Sequence, residues 1–117
     1  MRKIETDMNR AIRAGRNFSN SNTTVQTSTF FNSKDAYCEE SKVFLHGNHI
    51  ATVSDDALTL YSGGGWFTPT TKSRLNALIN EFCNPRTTGV FQKNYNWFVR
   101  AFGNVTPFVD GISIPIV

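Results

Sequence analysis

Two stretches of this sequence bring rings, cations and hydroxyls together at spacings that chemistry could use. Residues 63–74 read Gly-Gly-Gly-Trp-Phe-Thr-Pro-Thr-Thr-Lys-Ser-Arg. A glycine run lets a ligand come close to the backbone, and a helix opening at Thr68-Pro69 would offer N–H groups to an anion. Trp66, Lys72, Ser73 and Arg74 would then surround a phosphate. The run is not a nucleotide-hydrolysing phosphate loop, because that motif carries glycine immediately before its lysine and Thr71 stands there. Its plainer reading is a strand-to-helix turn with generous capping and Trp66 folded onto the core.

Residues 91–100 read Phe-Gln-Lys-Asn-Tyr-Asn-Trp-Phe-Val-Arg. In one continuous strand Phe91, Lys93, Tyr95 and Trp97 share a face. Rings alternating with a lysine make a stacking platform for unpaired bases, each stacked base contributing about 1–3 kcal/mol. Arg100 would follow the phosphate backbone together with Lys93. A half-buried strand turning Phe91, Tyr95 and Trp97 to the core produces the same alternation. A third group of cations, Arg2, Lys3, Arg10, Arg13 and Arg16, falls on the arc of the first helix opposite its apolar residues. Such a cluster binds phosphates with a steep salt dependence, or is simply a solvated face diluted by Glu5 and Asp7.

Other chemistries lack their parts. His46 and His49 straddle a turn, and Cys38 and Cys83 lie far apart, which matches no zinc spacing, so no metal and no cofactor is expected. Glu39-Glu40 and Asp55-Asp56 sit in expected loops, where adjacent carboxylates point apart, and no nucleophile is paired with a base and an orienting group. An enzyme is therefore the less favoured class. No stretch approaches the roughly 20 apolar residues of a membrane span. The amino terminus is charged and lacks the apolar run of a secretory signal, which points to a cytosolic protein with reduced thiols.

The elements that position these residues follow from hydrophobic period. Ile4, Met8, Ala11 and Ile12 predict a helix over 2–15, with Gly15 as its stop. Residues 17–22, nearly all Asn and Ser around Phe18, read as a loop. Residues 24–31, 41–46, 49–54 and 57–61 read as strands, with His46-Gly47-Asn48 as a tight turn and 32–40 as the longest loop. Thr68-Pro69 opens a second helix whose stripe is Leu75, Leu78, Ile79 and Phe82 and which Asn84-Pro85 stops. Runs 89–93, 95–102 and 106–114 read as two or three further strands. At 117 residues the chain fits one domain over 1–117. The expected fold is α+β: a meandering antiparallel sheet of five to seven strands packed against two helices. Aromatic residues make up 13% of the chain, more than so small a core needs, while a net charge of +3 permits an anionic partner without requiring one.

Residues 45–51 (Leu-His-Gly-Asn-His-Ile-Ala), 64–77 (Gly-Gly-Trp-Phe-Thr-Pro-Thr-Thr-Lys-Ser-Arg-Leu-Asn-Ala), 90–99 (Val-Phe-Gln-Lys-Asn-Tyr-Asn-Trp-Phe-Val) and 106–111 (Thr-Pro-Phe-Val-Asp-Gly) carry a resemblance. The pattern resembles a family of small tailed-bacteriophage proteins without established catalytic residues. It implies an accessory protein in the cytoplasm of the infected bacterial host. Residues 26–40 lie outside the pattern, where partner preference would reside. The reading is a non-catalytic binder of single-stranded or duplex nucleic acid through Trp66, Lys72, Ser73, Arg74, Lys93, Tyr95, Trp97 and Arg100. The alternative is a protein-binding inhibitor of a host enzyme or defence complex, since aromatics and Arg also mark protein hot spots. A homodimer through the strand at 112–117 would be limited by Pro115.

Overall fold

The computed structural model describes residues 2–116. Helix α1 (Lys3–Arg13) buries Met8, Ala11 and Ile12, together with Glu5 and Asn9. The buried arc is therefore centred one position past the stripe that Ile4 would start. Gly15, at φ +66°, ends the helix: its N–H bonds to Ile12 O and that of Arg16 to Ala11 O, so the last carbonyls are satisfied.

Strands β1 (Phe18–Asn20), β2 (Thr23–Phe31), β3 (Tyr37–Leu45), β4 (Asn48–Val53), β5 (Ala57–Leu60) and, after a long excursion, β9 (Ile112–Pro115) form a six-stranded antiparallel sheet in the order β1-β2-β3-β4-β5-β9. One row of side chains, Phe18, Val25, Val43, Ala51, Leu60 and Ile112, runs straight across all six strands on the face that meets the helices. A second row, Ser41, Val53, Leu58 and Ile114, lies beside it. This alternation fixes the register, because a slip by one residue would turn the whole set to solvent.

Three expectations need correction. The Asn/Ser segment at 17–22 is not all loop: its Phe18 side chain joins the core row, and that contact draws β1 onto β2. The loop expected at 32–40 shrinks to a turn at 32–36, because Asn32 Oδ1 accepts the N–H groups of Lys34 and Ala36 and closes the chain early. Its remainder, Cys38 and Glu39-Glu40 included, belongs to β3. The run at 106–114 divides between two sheets.

Helix α2 (Pro69–Phe82) starts and stops as its caps predict: Thr68 Oγ1 accepts the Thr71 N–H, and Cys83 closes it. It packs against α1, against β4 and β5, and against β6 (Gly89–Lys93). Strands β6, β7 (Asn96–Ala101) and β8 (Asn104–Pro107) make a separate three-stranded antiparallel sheet. Asn76 of α2 donates to Val90 O and accepts from Val90 N–H, both at 2.9 Å, which closes the β6 edge as a neighbouring strand would. Leu75, Leu78, Ile79, Val90, Trp97 and Val99 join the core of the larger sheet in one cluster. The fold is α+β. Cys38 lies partly exposed on β3, whereas Cys83 is buried at the end of α2 with its Sγ 4.0 Å from Pro115 O.

Candidate nucleic-acid interface

The glycine segment folds into a loop that uses most of its own polar groups. Gly63, Gly64 and Gly65 all have positive φ (74°, 87° and 96°), so side chains there would be strained. Ser62 holds the loop: its N–H and hydroxyl bond to the Asp110 carboxylate, and its Oγ accepts the Gly65 N–H. Trp66, Phe67 and Thr68 donate their N–H groups to Ser62, Gly65 and Trp66 carbonyls. At the helix start Pro69 has no N–H, and those of Thr71 and Lys72 go to Thr68 Oγ1 and Thr68 O. The anion cradle expected here is thus largely closed by its own capping. What remains is a groove of about 280 Å³ lined by Leu45, His46, Ile50, Trp66, Thr68 and Thr70, among others. Trp66 is 59% exposed on its rim, and Lys72 is half-buried in the first turn of the helix.

Arg74 is not a phosphate ligand in this fold. It is buried, and its Nη1 donates to Glu5 Oε2 at 2.8 Å, its Nε to Thr23 Oγ1 at 3.0 Å and its Nη2 to Asn22 Oδ1 at 3.3 Å. The Ser73 hydroxyl donates to the same Glu5 oxygen at 2.6 Å, so both residues face α1 rather than solvent. The side chains of Glu5 and Arg74 are each 3% exposed. Burial pushes the Glu5 carboxyl up, but the bonds from Ser73, Arg74 and the Arg2 N–H, with the Arg74 charge, outweigh it and hold its pKa below the ordinary value. The signal was in the sequence: Glu5 shares an arc with Met8, Asn9 and Ile12, and a carboxylate on a buried face needs a partner.

The second stretch breaks between the runs expected at 89–93 and 95–102, so the shared face that a single continuous strand would give does not form. Asn94 (φ 52°) and Tyr95 (φ 67°) form the two-residue turn between β6 and β7, placing Tyr95 at the tip, 94% exposed. The turn reverses the chain, so Trp97 no longer shares a face with Lys93. It pairs with Gln92, is 6% exposed, and meets Phe67 and Phe108 edge-on with centroids 4.9 and 5.7 Å away. A buried indole cannot stack a base, so Trp97 leaves the set of candidate contacts.

A different set of rings takes its place. The face of the small sheet opposite Val90, Trp97 and Val99 carries Phe91, Lys93, Asn96, Phe98 and Arg100, because side chains alternate along each strand. Phe91 and Phe98 are cross-strand partners whose rings stack at 5.7 Å and 25°, and the Arg100 guanidinium lies 5.6 Å from the Phe91 centroid. Lys93 and Arg100 are exposed. Sequence reasoning picked both cations but missed Phe98 as their neighbour, since only the turn at Asn94-Tyr95 brings the two rings together.

The cations of this segment, Arg2, Lys3, Arg10, Arg13 and Arg16, are all exposed, and three of them are ion-paired. Lys3 and Arg10 share Asp7, at 3.0 and 3.8 Å. Arg13 bonds to the Glu81 carboxylate at 3.0 Å and to its carbonyl at 2.8 Å, and covers the Phe82 ring. Of the histidines, His46 occupies the β3–β4 turn. His49 lies between Phe44 and Tyr61 in tilted ring contacts, with its Nε2 2.8 Å from Thr52 Oγ1 and 2.9 Å from Ala51 O. Burial lowers its pKa, reinforced by Lys42 and opposed by the Ala51 bond and Glu40. Burial pushes the Cys83 thiol up. Among the described residues no three His, Cys, Asp or Glu side chains converge to hold a metal, and no helix is long and apolar enough to cross a membrane.

The family model for the Kyanoviridae Gp96 protein matches residues 1–115. No curated protein and no solved structure gives a match.

Proposed function

The chain belongs to the Kyanoviridae Gp96 protein family, a bacteriophage family, and in that setting we propose that it is a non-catalytic binder of single-stranded nucleic acid. One observation carries the reading: on the open face of the small sheet, two stacked rings, Phe91 and Phe98, lie with two exposed cations, Lys93 and Arg100. Unpaired bases stack on such rings while cations take the phosphates, a combination that tolerates any sequence. Asn96 on the same face adds a hydrogen-bonding group, and Tyr95 extends the surface at the turn. Because a duplex hides the faces of its bases, single strands are favoured over duplex. The protein acts in the cytoplasm of the infected host, where such strands are exposed.

Fluorescence anisotropy with labelled single-stranded oligonucleotides and the matching duplex tests this. Binding in the micromolar range at low salt is expected for the single strand. The Lys93→Ala, Arg100→Ala double variant should weaken it and flatten the log–log salt slope by about 1.4, two phosphate contacts at about 0.7 each. No binding to either form at low salt rejects the reading. A stoichiometric host protein that survives nuclease treatment would then favour a protein-binding inhibitor, for which the exposed rings of Tyr95 and Phe102 speak.

A further inference from the structure

The β2–β3 hairpin runs past the body of the sheet, and its outer edge is uncovered. Strand β1 pairs with β2 only from Thr23 to Val25, and the Asn17 side chain takes the Thr27 N–H at 2.8 Å. Beyond that point no described strand lies beside β2 on the side away from β3. In an antiparallel strand alternate residues turn both backbone groups to the same side. The Thr27 N–H faces outward, so Thr29 and Phe31 present their N–H and C=O groups to the open edge as well, while Ser28 and Phe30 bond inward to Glu40 and Cys38 of β3. Residues 28–31 are exposed, and Phe31 meets Tyr37 edge-on at 6.0 Å.

Edge strands that stay single are normally guarded by charge, proline or a bulge. Strand β2, Thr-Thr-Val-Gln-Thr-Ser-Thr-Phe-Phe, has no charged residue, no proline and no register shift against β3. We propose that this edge pairs with the same edge of a second copy of the chain, about a two-fold axis at Phe30. In that register Thr29 faces Phe31 of the other copy and Phe31 faces its Thr29, so all the free groups of both residues are used in four hydrogen bonds. Phe30 then opposes Phe30 in a non-hydrogen-bonded position, where Cα atoms approach to about 4.5 Å and aromatic pairs interact best. A second copy fits because the free window is symmetric about Phe30 and uncharged, so like meets like without repulsion. The opposite edge, β9, is only four residues long and ends in Pro115, which has no N–H to give. The pairing joins the two six-stranded sheets into one.

Sedimentation velocity of the full chain across the micromolar range tests this, with hydrogen exchange on the same samples. The expected result is a dimer that grows with concentration while the amides of Thr29 and Phe31 become protected. Thr29→Pro removes an outward N–H and no bond to β3, so it should weaken association by about tenfold or more while melting is unchanged. Phe30→Lys, which places like charges on the axis, should do the same and serves if the proline variant fails to fold. A monomer at every concentration overturns the proposal, as does a dimer that survives both substitutions or leaves the Thr29 and Phe31 amides unprotected.

Discussion

Glu5 and Arg74 form a buried ion pair at 2.8 Å. They join α1 to α2 and, through Asn22 and Thr23, to the start of β2. Arg74→Ala strands a buried carboxylate and should cost about 3–5 kcal/mol in urea unfolding, whereas Glu5→Leu with Arg74→Met should cost less, because neither charge is then left alone. The pH dependence has one sign. The lowered Glu5 value means its contribution is complete above the ordinary 4.5 and is lost as pH falls through the folded-state value. The lowered His49 value acts in the same direction, starting at its ordinary 6.5. The urea midpoint should therefore decline as pH falls below about 6.5 and decline further below about 4.5, with Glu5→Gln flattening the lower limb. A midpoint independent of pH from 7 to 3 would contradict both assignments.

Among the elements, turns decide what the small sheet can present. Two of its residues in left-handed conformation are aromatic, Tyr95 at φ 67° and Phe102 at φ 55°, where Gly or Asn is the usual choice. A side chain there is strained relative to Gly, so replacing it relieves strain and tests whether the ring contributes to binding. Tyr95→Gly should gain about 1 kcal/mol in stability and lose oligonucleotide affinity; a gain with affinity unchanged would remove Tyr95 from the interface. The same turn explains what the sequence left unread. Helix α2 was legible from Thr68-Pro69 to Phe82 because cap, proline and apolar stripe agree, and the meander was legible from its period. The break at Asn94 was legible too, but Tyr95 as the second turn residue was not, because Tyr is an unusual turn residue and alternation continues through it on paper. Period also says that faces alternate without saying which layer each meets, so Trp97 and Phe98 exchanged roles. Arg74 was misplaced for a related reason: a cation near a helix start reads the same whether a ligand or another helix supplies its anion.

Across the whole molecule, α2 is the element both sheets share. It lies against β4 and β5 on one side and holds the β6 edge through Asn76 on the other. Leu78, fully buried at its centre, should cost about 2–5 kcal/mol when cut to Ala. Because one core cluster contains residues of both sheets, far-UV dichroism and the emission of buried Trp97 should lose structure in a single shared transition. Separate midpoints would make the small sheet a unit of its own. The two cysteines add a consequence at this scale. A thiol reagent meets Cys38 on the projecting hairpin directly, but reaches Cys83 only when the end of α2 lifts from β9. Labelling at the second position thus proceeds at the pace of opening rather than of chemistry, and the chain carries its own clock for how often its interior comes apart.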